Sequence, residues 1–260
     1  MNVNPVPADL ANAIEAARPR LGPLASPLVF FSTVGSTNDA AAALATEGRV
    51  VVADEQTAGR GRRGRTWFSP PGSGLYVSVV LAPGRARADS RRATMLLTIA
   101  AGVALAEGVQ ACSGLRVDLK WPNDLYASGR KLAGILAEAT HDVVVLGYGI
   151  NLTEAAYPAD LRDRVTSLDA ESSAIDRGRV LAETLAALAR RYSDLLEGRF
   201  DAILDAWRER APAASGARVT WPAAGGPRSG VTAGVDGDGA LLVRTRDGLE
   251  RIVGGEVHWQ

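Results

Sequence analysis

One run dominates the hydropathy pattern of this chain: Arg91–Val109 is apolar over most of its length. It reads as a long helix that is buried on a broad face. The segments available to cover it are short and strand-like. Leu28–Val34, Arg49–Ala53 and Leu75–Leu81 precede it, and Leu115–Lys120, Asp124–Tyr126, Lys131–Ala139 and Val143–Asn151 follow. Ser128-Gly129 suits a hairpin turn between two of them. Strands mostly in meander order predict an α+β fold, a mixed β-sheet with packed helices, over a doubly wound sheet. Further helices are predicted over Ala8–Ala17, from Ser36 to about Thr46, over Arg179–Leu196 and over Phe200–Arg208. Ser36 with Asp39 three residues on resembles a capping box, Asp replacing the usual Glu or Gln.

Beyond Pro212 the pattern changes again. Ala217–Trp221, Gly230–Val235, Leu241–Thr245 and Gly248–Val253 are short strands joined by turns such as Asp236-Gly237 and Asp247-Gly248. They predict a small all-β unit, a barrel of the SH3 type. The 260 residues are therefore expected to divide into a larger unit, 1–211, and a small one, 212–260.

Charge narrows the function classes. Lys+Arg is 29 and Asp+Glu is 29, so the net charge is zero. That argues against a protein held on nucleic acid or on a membrane by bulk charge. Apolar stretches such as Met95–Leu105 look too short and too interrupted to span a bilayer. A single cysteine, Cys112, permits no intramolecular disulfide, and no signal-peptide pattern opens the chain. Both fit a cytoplasmic protein. Only two of the basic residues are lysines, Lys120 and Lys131.

Four stretches carry chemistry. Gly59-Arg60-Gly61-Arg62-Arg63-Gly64-Arg65-Thr66-Trp67 cannot pack a core. Its glycines allow close backbone approach and its arginines offer bidentate forks for phosphate or carboxylate. It also satisfies G-x-G-x-x-G, but without the strand and helix which that fingerprint requires. An anion-binding loop, an RGG-like RNA contact and a solvated linker all remain open from these residues alone. Lys120-Trp121-Pro122-Asn123-Asp124 joins a cation, an aromatic, a rigid turn, an amide and a carboxylate, as a metal–nucleotide site would. Arg130-Lys131-Leu132-Ala133-Gly134-Ile135-Leu136-Ala137-Glu138 places a glycine inside an apolar strand, a common sign of close approach. Gly147-Tyr148-Gly149-Ile150-Asn151 repeats that signal at a strand end.

In order, these stretches resemble the biotin protein ligases. Ser36-Thr37-Asn38 matches the family's biotin-site Ser-Thr-Asn, and Gln56-Thr57-Ala58 with Gly59–Gly64 matches its glycine/arginine-rich loop. Gly254-Gly255-Glu256 fits its small C-terminal domain. The resemblance implies a core fold shared with lipoate ligases and a two-step reaction. Biotin and MgATP give biotinyl-5′-AMP and pyrophosphate; one lysine of a biotin carboxyl carrier protein then takes the biotin and releases AMP.

The resemblance also implies roles. Lys131 would bridge the biotin carboxylate and the α-phosphate, with Arg60 and Arg62 holding oxygens of both and Arg65 further out. Ser36, Thr37, Asn38 and Gln56 would meet biotin's polar ring, and Gly59, Gly61, Gly134 and Gly147 would let it approach the backbone. Lys120, Trp67, Trp121, Asn123 and Asn151 would line the ATP side. Asp124 would orient the carrier lysine or, with Asn123, face magnesium carried mainly by the ATP phosphates. About 34 residues precede the first motif, room for one helix and not for a winged helix-turn-helix, so no DNA partner is expected. The loop, with few apolar anchors, is expected to be mobile until ligand orders it. A monomer or a homodimer is compatible with this reading. A lipoate ligase and an RGG-type nucleic-acid module are the rival functions.

Overall fold

In the computed structural model, which describes residues 3–155, 157–172, 175–223 and 225–260, the long helix lies against a seven-stranded mixed sheet. The strands are β1 (Val29–Val34), β2 (Val50–Gln56), β3 (Gly74–Leu81), β4 (Asp118–Lys120), β5 (Asp124–Ala127), β6 (Arg130–Thr140) and β7 (Val143–Asn151). Their spatial order is β1-β2-β3-β7-β6-β5-β4. Only β1 and β2 are parallel, and α2 (Thr37–Leu44) crosses between them. The other neighbours are antiparallel, so β4 to β7 form the expected meander.

Helices α1 (Ala8–Ala17), α3 (Ser90–Ser113), α6 (Arg177–Leu196) and α7 (Phe200–Arg208) cover one face. Two single-turn helices, α4 (Ala159–Arg162) and α5 (Leu168–Glu171), lie between β7 and α6. α2 covers part of the other face, where Ala40 and Ala41 pack on Phe31, Val51, Ala53, Val80 and Val145. Val50 and Val52 of β2 point into the main core instead. Burial on both faces explains why β2 reads as an unbroken apolar run and not as an alternation.

α3 runs four residues past the predicted Val109. Asp89 caps its first turn by accepting from the Arg92 N–H at 2.9 Å, and Gly114 at φ +73° ends it. That extension shortens the next strand, predicted as Leu115–Lys120, to Asp118–Lys120. By length and composition α3 could cross a bilayer, contrary to the reading of its shorter apolar core. In this fold 67% of its most apolar window is buried inside the protein. It meets α6 closely because Gly108 has no side chain: a Cβ there would stand 2.6 Å from the Thr184 Cα. Beside this contact the carboxylate of Glu107 lies between Arg190 and Arg191.

The capping box does not form. Ser36 occupies the N-cap of α2 but makes no capping bond, and Asp39 instead pairs with Arg60. The C-terminal strands β8 (Ser215–Ala223), β9 (Gly226–Val235), β10 (Leu241–Thr245), β11 (Gly248–Ile252) and β12 (His258–Trp259) form a second, antiparallel sheet, β11-β10-β9-β8-β12. The two-residue β12 has no counterpart in the sequence reading. This sheet shares its apolar core with the main unit, and Gly239 packs on Leu96 and Ile99 of α3.

Candidate active site

The β5–β6 hairpin builds the charged centre. Ser128 and Gly129, both at positive φ, make its tight turn, as their dipeptide predicted. The turn sets Asp124 of β5 opposite Gly134 of β6. Lys131 lies back along its strand, so that its Nζ sits 2.7 Å from Asp124 Oδ1, a charge contact without hydrogen-bond alignment. Lys120 is the cross-strand partner of Asp124 on β4. Its half-buried ammonium lies 4.7 Å from the Tyr126 ring centre and 5.8 Å from that of Trp259. Burial pulls the Lys120 pKa down, while Asp124 opposes the shift.

The arginine loop closes this centre from above. It is a tight hairpin, with Gly61 N–H donating to the Arg65 carbonyl at 2.7 Å and Trp67 N–H to the Gly59 carbonyl at 2.9 Å. Arg62–Gly64 form a 3₁₀ turn at its tip. Arg62 points inward, half-buried, its Nη1 3.3 Å from Asn123 Oδ1. Burial lowers its pKa and Asp124 acts against that. Arg62, Lys131, Lys120 and Asp124 thus converge, as expected.

Trp67 gives the loop the apolar anchor that the sequence seemed to lack. Its indole lies flat on two glycines paired across the sheet, Gly134 of β6 and Gly149 of β7. A Cβ on Gly149 would stand 2.3 Å from Trp67 Nε1, and one on Gly134 3.0 Å from the ring and 3.3 Å from the Lys131 stem. Trp67 Nε1 is buried with no acceptor, and Lys131 Nζ is 5.3 Å from the ring centre. The two glycines thus leave a slot that the Trp67 indole itself fills, with the Lys131 ammonium beside the ring.

Several expected residues are engaged elsewhere. Arg60 does not turn towards the charged centre: its guanidinium is bidentate on Asp39, at 2.8 and 2.8 Å, and reaches Glu138 at 3.0 Å. Gly147 offers no room to a ligand, because the buried amide of Asn38 fills it, Oδ1 standing 2.2 Å from where a Cβ would be. Asn38 itself donates to Glu138 at 2.6 Å and accepts from Ser78 at 2.6 Å, so its amide is not free for biotin's ring. Gly59 serves the loop's own closure, its missing Cβ making way for Trp67 O and Ser69 Oγ. Gly61 faces only Arg65 across the same hairpin.

Gln56 takes Thr37 N–H and Oγ1 on its carbonyl, at 2.9 and 3.0 Å, and donates to Ser69. Thr37 and Gln56 therefore brace each other beside the slot, and Ser36 is buried next to them without a side-chain capping bond.

On the nucleotide side, Asn123 is no open ligand. Its Nδ2 donates to the Ile135 carbonyl at 2.8 Å while Oδ1 faces Arg62. Asn151 donates to the Thr166 carbonyl at 2.9 Å and lies 3.5 Å from that of Lys131, which braces the strand under the lysine. Trp121 is 4% exposed, and its Nε1 donates to Gly239 O at 2.9 Å, so it stitches the second sheet to the first. Arg65 pairs outward with Glu256, whose pKa that contact lowers. No three His, Cys, Asp or Glu side chains cluster as a metal cage among the described residues. Asn123 is engaged and Asp124 lies beside Lys131, so neither of the two residues expected to face magnesium stands free.

Comparison with known proteins gives the family. Residues 32–153 match the biotin/lipoate A/B protein ligase family, and residues 214–258 the biotin protein ligase C-terminal domain. The chain is 33% identical over 218 residues to the biotin–[acetyl-CoA-carboxylase] ligase of Paracoccus denitrificans, covering 80% of this chain and 88% of that one. The chain belongs to the biotin protein ligase family. Within that family it is 34% identical over 242 residues to the bifunctional ligase/repressor BirA of Bacillus spizizenii, covering 88% of this chain and 73% of the relative. The biotin protein ligase of Aquifex aeolicus, solved in complex with biotin and ATP, superposes with a TM-score of 0.79 at 29% identity over 90% of this chain and 99% of its own. In this ligase fold, the sequence reading missed Gly149, Asp39 and Trp259. Gly149 sat inside a motif already singled out; Asp39 carried only the signal of a helix cap, and Trp259 none.

Proposed function

We propose that this biotin-ligase family member activates biotin with ATP as biotinyl-5′-AMP and passes it to one lysine of a biotin carboxyl carrier protein. The observation that carries the reading is the charged centre: Lys131 and half-buried Arg62 both face Asp124, beside a glycine-floored slot that Trp67 fills. Substrate preference for biotin and ATP is supported by the Aquifex aeolicus complex.

In the first step a carboxylate oxygen of biotin attacks the α-phosphorus of ATP, and the bond to the β-phosphate breaks as pyrophosphate leaves. Two anions must meet, so fixed positive charge where their oxygens crowd is the main requirement. Lys131 provides a point charge that serves both partners, and half-buried Arg62 a fork that is more effective for being desolvated. Lys120 extends the positive surface toward the phosphates. No proton transfer is needed, because the carboxylate is already ionised. Holding the reactants in line supplies the second large contribution.

In the second step the carrier amine attacks the carbonyl of the mixed anhydride, AMP leaves, and the amine loses a proton. In this reading Asp124, beside Lys131, orients that amine. Ser36, Thr37 and Gln56 face biotin's ring, and the loop contributes the backbone N–H groups of Arg60 and Arg62, that of Gly61 being held by Arg65. Magnesium enters with the ATP phosphates. Residues 1–211 act as the catalytic unit and 212–260 as the small β unit beside it.

The test combines two measurements. Mass spectrometry of a carrier domain incubated with the protein, biotin and MgATP should show one added biotinyl group at one lysine. Lys131→Ala should abolish biotin-dependent ATP–pyrophosphate exchange; exchange at the wild-type rate would overturn the assignment. Exchange driven by lipoate in preference to biotin would favour the lipoate alternative.

A further inference from the structure

A continuous chain of side-chain hydrogen bonds joins the two stems of the arginine loop behind the slot. It starts at Arg60 on the entering stem. The guanidinium is gripped by Asp39 on the first turn of α2 and by Glu138 on β6. Glu138 Oε2 also accepts from Asn38 Nδ2 at 2.6 Å. Asn38 Oδ1 and Thr37 Oγ1 both lie within reach of the fully buried Ser78 hydroxyl, at 2.6 and 2.8 Å. Thr37 continues to Gln56, Gln56 to Ser69 Oγ at 3.0 Å, and Ser69 to the carbonyl of Trp67 at 3.0 Å on the leaving stem.

The backbone is shaped to admit this chain. Gly147 leaves the space that Asn38 fills, and Gly59 the space for Trp67 O and Ser69 Oγ. The hydrogen bond from Arg60 lowers the Asp39 pKa against the opposing effect of burial.

We propose that Glu138 and Asp39 are positioning residues: by clasping the Arg60 side chain they fix the loop stem, so that its backbone and Arg62 are presented to the substrate. The proposal rests on the biotin-activating reading for its kinetic arm and is independent of it for its structural arm. Glu138 is engaged with Arg60 and Asn38 and is not among the residues assigned to either substrate. Removing its charge frees the stem without removing a group from the slot. Because loop ordering adds to the cost of binding, the loss appears in the biotin KM and not in kcat. Gln at position 138 still accepts from Asn38, so Glu138→Gln separates the clasp from the rest of the chain of bonds.

Three proteins and the wild type decide the matter: Glu138→Gln, Arg60→Gln and the double variant. In Glu138→Gln, cleavage of the ligand-free loop by trypsin should rise about fivefold and the biotin KM in pyrophosphate exchange about tenfold, with kcat within about threefold. The double variant should be no worse than Arg60→Gln alone, since both changes break one clasp. Additive effects in the double variant, or an unchanged KM and an unchanged cleavage rate in Glu138→Gln, would overturn the proposal. If the wild type shows no biotin-dependent exchange, the functional reading fails and the cleavage rates alone decide the clasp.

Discussion

Two glycines one residue apart on β7 do opposite work, and alanine at each should separate them. A Cβ at position 147 would lie 2.2 Å from Asn38 Oδ1 and 2.9 Å from its Cγ. Neither contact can relax without moving a buried amide whose neighbours are fixed. Moving it breaks the bond from Ser78 and the bond to the Glu138 carboxylate. A neutral hydrogen bond contributes about 1 kcal/mol net, and one to a charged group about 1.5–3 kcal/mol. Alanine returns roughly 0.5–1 kcal/mol through the lower entropy of the unfolded chain. Gly147→Ala should therefore cost about 2–3 kcal/mol.

At position 149 the clash is with the Trp67 indole, 2.3 Å from Nε1 and 2.6 Å from Cε2. That nitrogen has no partner to lose, and the ring belongs to a loop that can lift. Gly149→Ala should cost under about 1 kcal/mol of folding stability while opening the loop and weakening biotin binding. Urea titration followed by far-ultraviolet circular dichroism distinguishes them. With a slope of about 2–3 kcal/mol/M, Gly147→Ala lowers the midpoint by about 1 M and Gly149→Ala by less than about 0.4 M. Equal midpoints for the two variants, or a larger loss at 149, would refute the reasoning.

Other outcomes follow from the same structure. Glu107→Gln should destabilise the protein by about 2 kcal/mol at pH 7, because largely buried Arg191 loses one of its two carboxylate partners and keeps only Asp194. The hydrogen bonds from Arg191 and Arg190 outweigh burial and hold the Glu107 pKa below its ordinary 4.5. The unfolded chain therefore binds the extra proton first as pH falls, and the pair's stabilisation, complete above about pH 4.5, is lost as pH drops through the folded value. Thermal melts of wild type and variant should accordingly converge as pH falls through that folded value; a constant gap would refute the assignment. Biotin plus ATP should slow tryptic cleavage at Arg62, Arg63 and Arg65, and equal rates with and without ligands would count against ligand-driven tightening of the loop.

Much of the fold was legible because its signals are local. The helix at Ala8–Ala17, the helix at Phe200–Arg208 and the strand Leu241–Thr245 follow from spacing and turn residues alone, and their bounds agree with the structure. The β5–β6 turn follows from Ser128-Gly129, two residues that tolerate positive φ. Errors arose where a distant partner decided the outcome. Asp39 looked like a helix cap, but Arg60 offers it a bidentate ionic bond and takes it. The strand β12 exists only because β8 is there to pair with it.

The charged centre shows the same division. That Lys120, Lys131, Arg62 and Asp124 would lie near one another was implied by the resemblance of their motifs to the biotin protein ligases, and the structure brings them together around Asp124. Which glycine opens the slot was not implied. Gly147 and Gly149 sit on the same face of one strand and in one motif, and nothing local distinguishes them. The choice is made by α2, which drives Asn38 into the space over Gly147, and by the arginine loop, which lays Trp67 over Gly149. Likewise Arg60 and Arg62 are chemically identical and one residue apart in a glycine-spaced loop. Only packing sends Arg60 to two carboxylates behind the slot and Arg62 to the half-buried centre beside Asn123. The sequence by itself determined which chemical groups are present and in what order. The tertiary structure decided which of them remain free to meet a ligand, since a side chain's availability depends on what reaches it from elsewhere in the chain.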